Sequence, residues 1–132
     1  MYIIESETSF DAAHFLTNYE GKCANIHGHR WRVVASISGN LDNGMLVDFN
    51  CLKNDLRNLG DYFDHAFIVE KGSLDDDLYN MLSKKFLLRL VDFRTTAENF
   101  SKYFYDELSK KYNVKEIKVY ETPNNCARYL CK

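Results

Sequence analysis

The sequence is poor in the residues that divide a chain into pieces. One proline and six glycines in 132 residues leave little room for a flexible linker, and no segment is repetitive or of low complexity. A strong charge bias is also missing: 17 Lys and Arg stand against 19 Asp and Glu, a formal net charge of −2. No basic run reaches the length of a nucleic-acid arm or a basic membrane surface, so no nucleic acid is expected as a partner. A small phosphorylated ligand would need only a few local cations. The apolar runs are far too short to cross a bilayer. The opening MYIIESETSF has no positive segment followed by an apolar stretch, so neither a membrane nor export is expected. The four cysteines (Cys23, Cys51, Cys126 and Cys131) form no C-x-x-C pair and read as reduced thiols of a cytoplasmic protein.

What is present is ordinary for a globular chain: 45% hydrophobic and 27% charged residues. The length suits a single domain over 1–132, because two separate cores would be too small to be stable. Residues 2–12 are rich in β-formers, with Tyr2, Ile4, Thr8, Phe10 and Ala12 on the more apolar face. Over 29–38, Trp31, Val33, Ala35 and Ile37 alternate with Arg30, Arg32, Ser36 and Ser38. Asp48 caps an expected helix whose apolar stripe is Phe49, Leu52, Leu56, Leu59 and Phe63. A shorter helix is expected over 74–88, opened by Asp75, Asp76 and Asp77. A third follows Thr95 or Thr96 and Glu98, with Phe100, Tyr103, Phe104 and Leu108 as its stripe. Strands near 115–121 and 126–131 close the chain. Two strands, helices and two more strands predict an α+β domain: an antiparallel sheet with helices on one face.

His27-Gly28-His29 carries the strongest chemical signal. Alternation puts both imidazoles on the face of Trp31, and His14 closes the apolar face of the first strand. Three neutral histidines with an open fourth position describe a catalytic zinc site, whereas structural sites have four protein ligands. An H-x-H pair is common, however, and satisfied core or surface histidines are the alternative. Cys23 lies four residues before His27, where a nearby dication would favour its thiolate; a buried inert cysteine is the rival reading and the better one for Cys51. Cys126 and Cys131 differ in strand parity and should face opposite sides. Asp64 beside His65, at the end of the first helix, is the pairing that acid–base chemistry uses, or an ordinary surface pair. Glu121 shares a strand face with Ile117 and Val119. A carboxylate there is costly unless paired, and suits a ligand with two adjacent N–H donors, unless the strand end frays into solvent.

These residues fall into an ordered set that resembles the 6-pyruvoyl-tetrahydropterin synthase superfamily, in particular its 6-carboxy-5,6,7,8-tetrahydropterin synthase branch of queuosine (7-deazapurine) biosynthesis. The matching segments are Phe10-Asp11-Ala12-Ala13-His14, Cys23-Ala24-Asn25-Ile26-His27-Gly28-His29, Val47-Asp48-Phe49, Asp64-His65, Thr96-Ala97-Glu98-Asn99 and Tyr120-Glu121-Thr122. The resemblance implies Zn2+ held by His14, His27 and His29, a proton-abstracting thiolate at Cys23, and a relay at His65 oriented by Asp64. Glu121 would grip the pterin ring and Thr96 would contact the substrate. It also implies a tunnelling fold, a four-stranded antiparallel sheet with helices on one face, closed by other copies into a homo-oligomer (trimer or hexamer) with active sites at subunit boundaries. The implied substrate is a small-molecule pterin triphosphate, 7,8-dihydroneopterin triphosphate, converted to 6-carboxytetrahydropterin, acetaldehyde and triphosphate. The three-residue interval between Cys23 and His27 favours that branch. The alternatives are a 6-pyruvoyl-tetrahydropterin synthase, a dihydroneopterin retro-aldolase or a non-catalytic pterin-binding protein. Lys22, Arg30 and Arg32 are candidate triphosphate cations by proximity alone. Thr95 departs from the family, in which many relatives carry Pro, as do Ile68-Val69 and the long segment 70–93.

Overall fold

The computed structural model describes residues 1–132. Strand β1 (Tyr2–His14) pairs antiparallel with β2 (His27–Gly39) along its whole length. Helix α1 (Phe49–Asp61) follows, then β3 (Ala66–Glu70), α2 (Asp76–Ser83), β4 (Leu88–Val91), α3 (Ala97–Leu108) and a closing hairpin of β5 (Val114–Thr122) and β6 (Asn125–Leu130). The sheet order is β4-β3-β1-β2-β5-β6. The expected antiparallel quartet is its β1-β2-β5-β6 part, but the sheet has six strands rather than four. β3 runs parallel to β1 and β4 parallel to β3. The class is α+β as expected.

The helix expected over 74–88 is shorter. It stops at Ser83, and Leu88-Arg89-Leu90-Val91 pairs with β3 instead. No residue of α2 is buried, so nothing holds its last turns in place against strand pairing.

Helices α1 and α3 cover one face of the sheet. Asp48 caps α1 by accepting from the Asn50 N–H at 2.7 Å, and Thr96 caps α3 by accepting from the Asn99 N–H at 3.2 Å. Leu52 and Leu56 are fully buried, as the α1 stripe requires, but Phe49 is 60% exposed. Cys51, expected to be buried, is exposed because it lies off that stripe. Beneath the helices, Phe10, Trp31, Phe63, Phe100 and Phe104 form an aromatic core with no more than 1% exposure each. Phe10 and Trp31 stack at 6.3 Å, and Phe100 meets Trp31 at 5.0 Å. At Gly60 a Cβ would come within 3.1 Å of Thr8 Cγ2 and 3.2 Å of Phe10 Cδ1, so the glycine lets α1 settle onto β1.

Phe100→Ala should cost about 3–5 kcal/mol of unfolding free energy, because its ring is wedged among Trp31, Phe63, Phe93 and Phe104. Urea titration checks it; a loss below about 1 kcal/mol would mean that the core refills the space.

Candidate metal centre

Antiparallel pairing builds the centre. His14, the last residue of β1, lies directly across from His27, the first residue of β2, and His29 follows two residues on, across from Ala12. All three rings point to the helix-covered face, over Trp31, which lies 5.0 Å from His14 and 5.6 Å from His29. The ring centroids are 4.6, 4.8 and 5.4 Å apart.

Glu121 completes the group. The β5–β6 register slips between Tyr120 and Thr122, which makes Glu121 the extra residue of a β-bulge, and bulges re-aim side chains. Its Oε1 lies 3.2 Å from His14 Nε2 and 3.0 Å from His29 Nε2. One donor atom from each of His14, His27, His29 and Glu121 falls within 4.8 Å of the others.

The outer nitrogens show which ring atoms face inward. His14 Nδ1–H donates to the Thr95 carbonyl at 2.8 Å, with the Thr95 hydroxyl at 3.0 Å. His27 Nδ1–H donates to the Asn25 carbonyl at 2.7 Å. A carbonyl can only accept, so Nδ1 carries the proton in both rings and Nε2 presents a lone pair. The Nε2 atoms of His14, His27 and His29 are all buried and make no hydrogen bond. Three such orphans beside a carboxylate are costly as they stand and are the donor set that zinc takes. Burial pushes His29 below its ordinary pKa, with Glu121 opposing. Neutral imidazole and ionised carboxylate are the forms that bind metal.

Thr95 is a site residue that the sequence did not reveal as such. It is 1% exposed, and its hydroxyl donates to the Phe15 carbonyl at 3.1 Å while its own carbonyl holds His14. Neighbouring Arg94 donates from Nε and Nη2 to the Thr17 carbonyl at 3.1 and 2.7 Å. The loop that starts α3 is thus fastened to the end of β1. Thr96, expected at the substrate, has its hydroxyl engaged as the α3 cap.

The remaining candidates lie outside the four-residue group. Cys23 sits half-buried in a 3-10 turn (Lys22–Ala24), with its carbonyl accepting from the Leu16 N–H at 2.8 Å. Asp64 and His65 lie in the turn beyond α1. Asp64 Oδ2 accepts from His65 Nδ1 at 2.8 Å, and Oδ1 accepts from the Asp11 N–H at 2.9 Å. His65 adopts a left-handed φ of 59° while its N–H reaches the Asp11 carbonyl at 2.6 Å, a conformation that only surrounding bonds make tolerable. The Asp11 N–H holds Asp64 below its ordinary pKa, and Asp64 in turn raises that of His65. A groove of about 430 Å3 borders both His29 and His65. No hydrogen bond joins His65 to Cys23 within the chain. Arg30 and Arg32 are paired with Asp11 and Glu7 at 3.0 and 2.9 Å, while Lys22 lies exposed in the turn.

Glu121 also borders a cleft of about 330 Å3 between the start of α3 and β6, together with Glu98, Asn125 and Arg128. The largest cleft, about 540 Å3, lies elsewhere, among α1, β4 and α3, and contains none of the histidines.

Over 98% of its length the chain is 33% identical to 6-carboxy-5,6,7,8-tetrahydropterin synthase of Haemophilus influenzae, covering 99% of that protein. With the Rickettsia conorii protein of the same name it shares 29% identity, over 87% of this chain and 90% of the other. A solved structure from Wolinella succinogenes superposes with a TM-score of 0.81 at 20% identity, covering 99% and 98% of the two chains. The 6-pyruvoyl tetrahydropterin synthase of Plasmodium falciparum gives 0.74 at 21% identity, covering 97% and 96%. The profile of one family, 6-pyruvoyl tetrahydropterin synthase, matches residues 3–131, and the chain belongs to that family.

Proposed function

We propose that this family member is a zinc-dependent 6-carboxy-5,6,7,8-tetrahydropterin synthase. It would convert 7,8-dihydroneopterin triphosphate to 6-carboxytetrahydropterin, acetaldehyde and triphosphate, a carbon–carbon lyase reaction in queuosine biosynthesis. The observation that carries the reading is the convergence of three orphaned histidine nitrogens and a carboxylate on one point. The relatives named above support the choice of product over a pyruvoyl-type one. The solved structures with the pyruvoyl name are matched in fold at 21% identity.

His14, His27 and His29 would hold the ion. Zinc held there would supply Lewis acidity to substrate hydroxyls and would stabilise charge developing beside them. Glu121 would accept from the N–H groups of the pterin edge, as an ionised carboxylate can. Cys23 would take a proton as thiolate, and His65, oriented by Asp64, would pass one on. In the homo-oligomer that this reading implies, Cys23 and His65 would each act on the substrate rather than on one another. The unpaired outer edges of β4 and β6 suit such assembly.

Incubation of the zinc-loaded protein with dihydroneopterin triphosphate should release acetaldehyde, and Cys23→Ala should abolish this while retaining zinc. A pyruvoyl product would refute the branch, and loss of zinc in that variant would make Cys23 a ligand.

His27→Ala should remove zinc altogether, measured by elemental analysis. Thr95→Val deletes the hydroxyl but keeps the carbonyl, and should weaken zinc about tenfold in a chelator competition, with Thr95→Ser near wild type. Equal affinities for all three proteins would leave the Thr95 hydroxyl without a part in holding His14.

Asp64→Asn should lower the His65 pKa toward about 6.5, followed by NMR titration. The sign follows from linkage: with a raised folded pKa, the His65–Asp64 pair stabilises the fold below that ordinary value. The contribution fades as pH climbs through the raised one. An unchanged titration in the variant would show that Asp64 does not set His65's charge.

A further inference from the structure

Glu121 is in an unusual position for a residue whose expected partner is an organic ring. Both of its close contacts are made by one oxygen, Oε1, toward His14 Nε2 and His29 Nε2. These approaches are close but are not aligned as hydrogen bonds. For His14 the reason is explicit: the proton is on Nδ1, spent on the Thr95 carbonyl, so Nε2 turns a lone pair toward an anionic oxygen. A lone pair set against an anionic oxygen at 3.2 Å is repelled unless a cation lies between them. The spacing fits the same conclusion. A tetrahedron with zinc–ligand bonds of about 2.0–2.1 Å has edges of about 3.3–3.4 Å; both contacts fall within a few tenths of an ångström of that, and the wider set, within 4.8 Å, would draw in around an ion.

We propose that Glu121 is the fourth ligand of the metal while no pterin is bound, and that an arriving ring draws it off. One carboxylate then serves in turn as metal ligand and as acceptor for the ring's N–H donors. The inference rests on the metal reading above and concerns the order of events at that same centre. The bulge gives Glu121 the location for both tasks: it stands at the boundary between the histidines and the cleft that also holds Glu98. With four protein ligands the centre is closed, like a structural site, and has no place for substrate oxygen. Removal of the carboxylate opens that place and takes an anion away from the ion, which strengthens its pull on an incoming hydroxyl. The coordination position therefore becomes available only once a ring is seated, and other small hydroxylated molecules are kept from the centre.

The test uses the full chain loaded with Co2+, whose visible absorption reports its ligands, together with zinc competition against a chelator. The probe is unsubstituted pterin, which has no side-chain hydroxyls and so cannot occupy the metal through them. Glu121→Ala should weaken zinc about 10-fold or more and change the cobalt spectrum. Pterin should shift the wild-type spectrum toward that of the variant, with its binding followed by fluorescence. The proposal is overturned if wild type and variant share one affinity and one spectrum, the outcome expected if Glu121 merely shares a proton with a histidine. It is equally overturned if pterin leaves the wild-type cobalt bands unmoved. Should Glu121→Ala fail to fold, Glu121→Gln keeps the shape and must still alter the spectrum. A wild-type protein that binds neither Zn2+ nor Co2+ would instead remove the metal centre itself.

Discussion

Everything at the centre depends on the full-length antiparallel pairing of β1 with β2. Because the two strands are matched from Tyr2↔Gly39 to His14↔His27, their far ends cannot drift relative to each other. A slip of one residue would send His27 and His29 to the opposite face and strand His14 among apolar neighbours. Burial of Phe10, Ala12, Trp31 and Val33 on one face prevents that slip. The hydrophobic core thus sets the register, and the register sets the histidines. Chemistry at the strand ends is a by-product of packing in the strand middles.

The second constraint comes from outside the sheet. His14 is oriented by a carbonyl in the loop before α3, and that loop is held in turn by Thr96, Asn99 and Arg94. The helix layer therefore does more than cover the sheet: its first residues choose the tautomer of a buried ring. Asp11 plays a comparable part on the other side. Its backbone bonds both Asp64 and His65, which fastens the turn after α1 to β1.

Much of this was legible in the residues, and the exceptions are physical. Alternation at Trp31, Val33, Ala35 and Ile37 reported β2 because one face of it is packed and the other holds serines and arginines. The three histidines were legible for the same reason. β3 escaped because Ala-Phe-Ile-Val is a short apolar run without a clear polar beat, and both Ile68 and Val69 are buried. β4 escaped because its leucines continue the spacing of α2. Thr95 was not legible as a site residue, because its main act is performed by a carbonyl, which every residue has. Phe49 continues the α1 stripe by spacing but not by burial, because the first turn projects past the edge of the core.

The bulge at Glu121 also bears on how this chain can vary. Strand phase beyond Tyr120 is set by a single surplus residue. Deleting the surplus residue would restore even pairing with β6 and remove the carboxylate from beside the histidines. Inserting one just before Glu121 would turn the acid to the opposite face of the strand. The hairpin Thr122-Pro123-Asn124-Asn125 lies at the surface, where length changes are ordinarily tolerated. A change in length at the bulge, unlike one at the tip beyond it, is coupled to the face on which an acid stands.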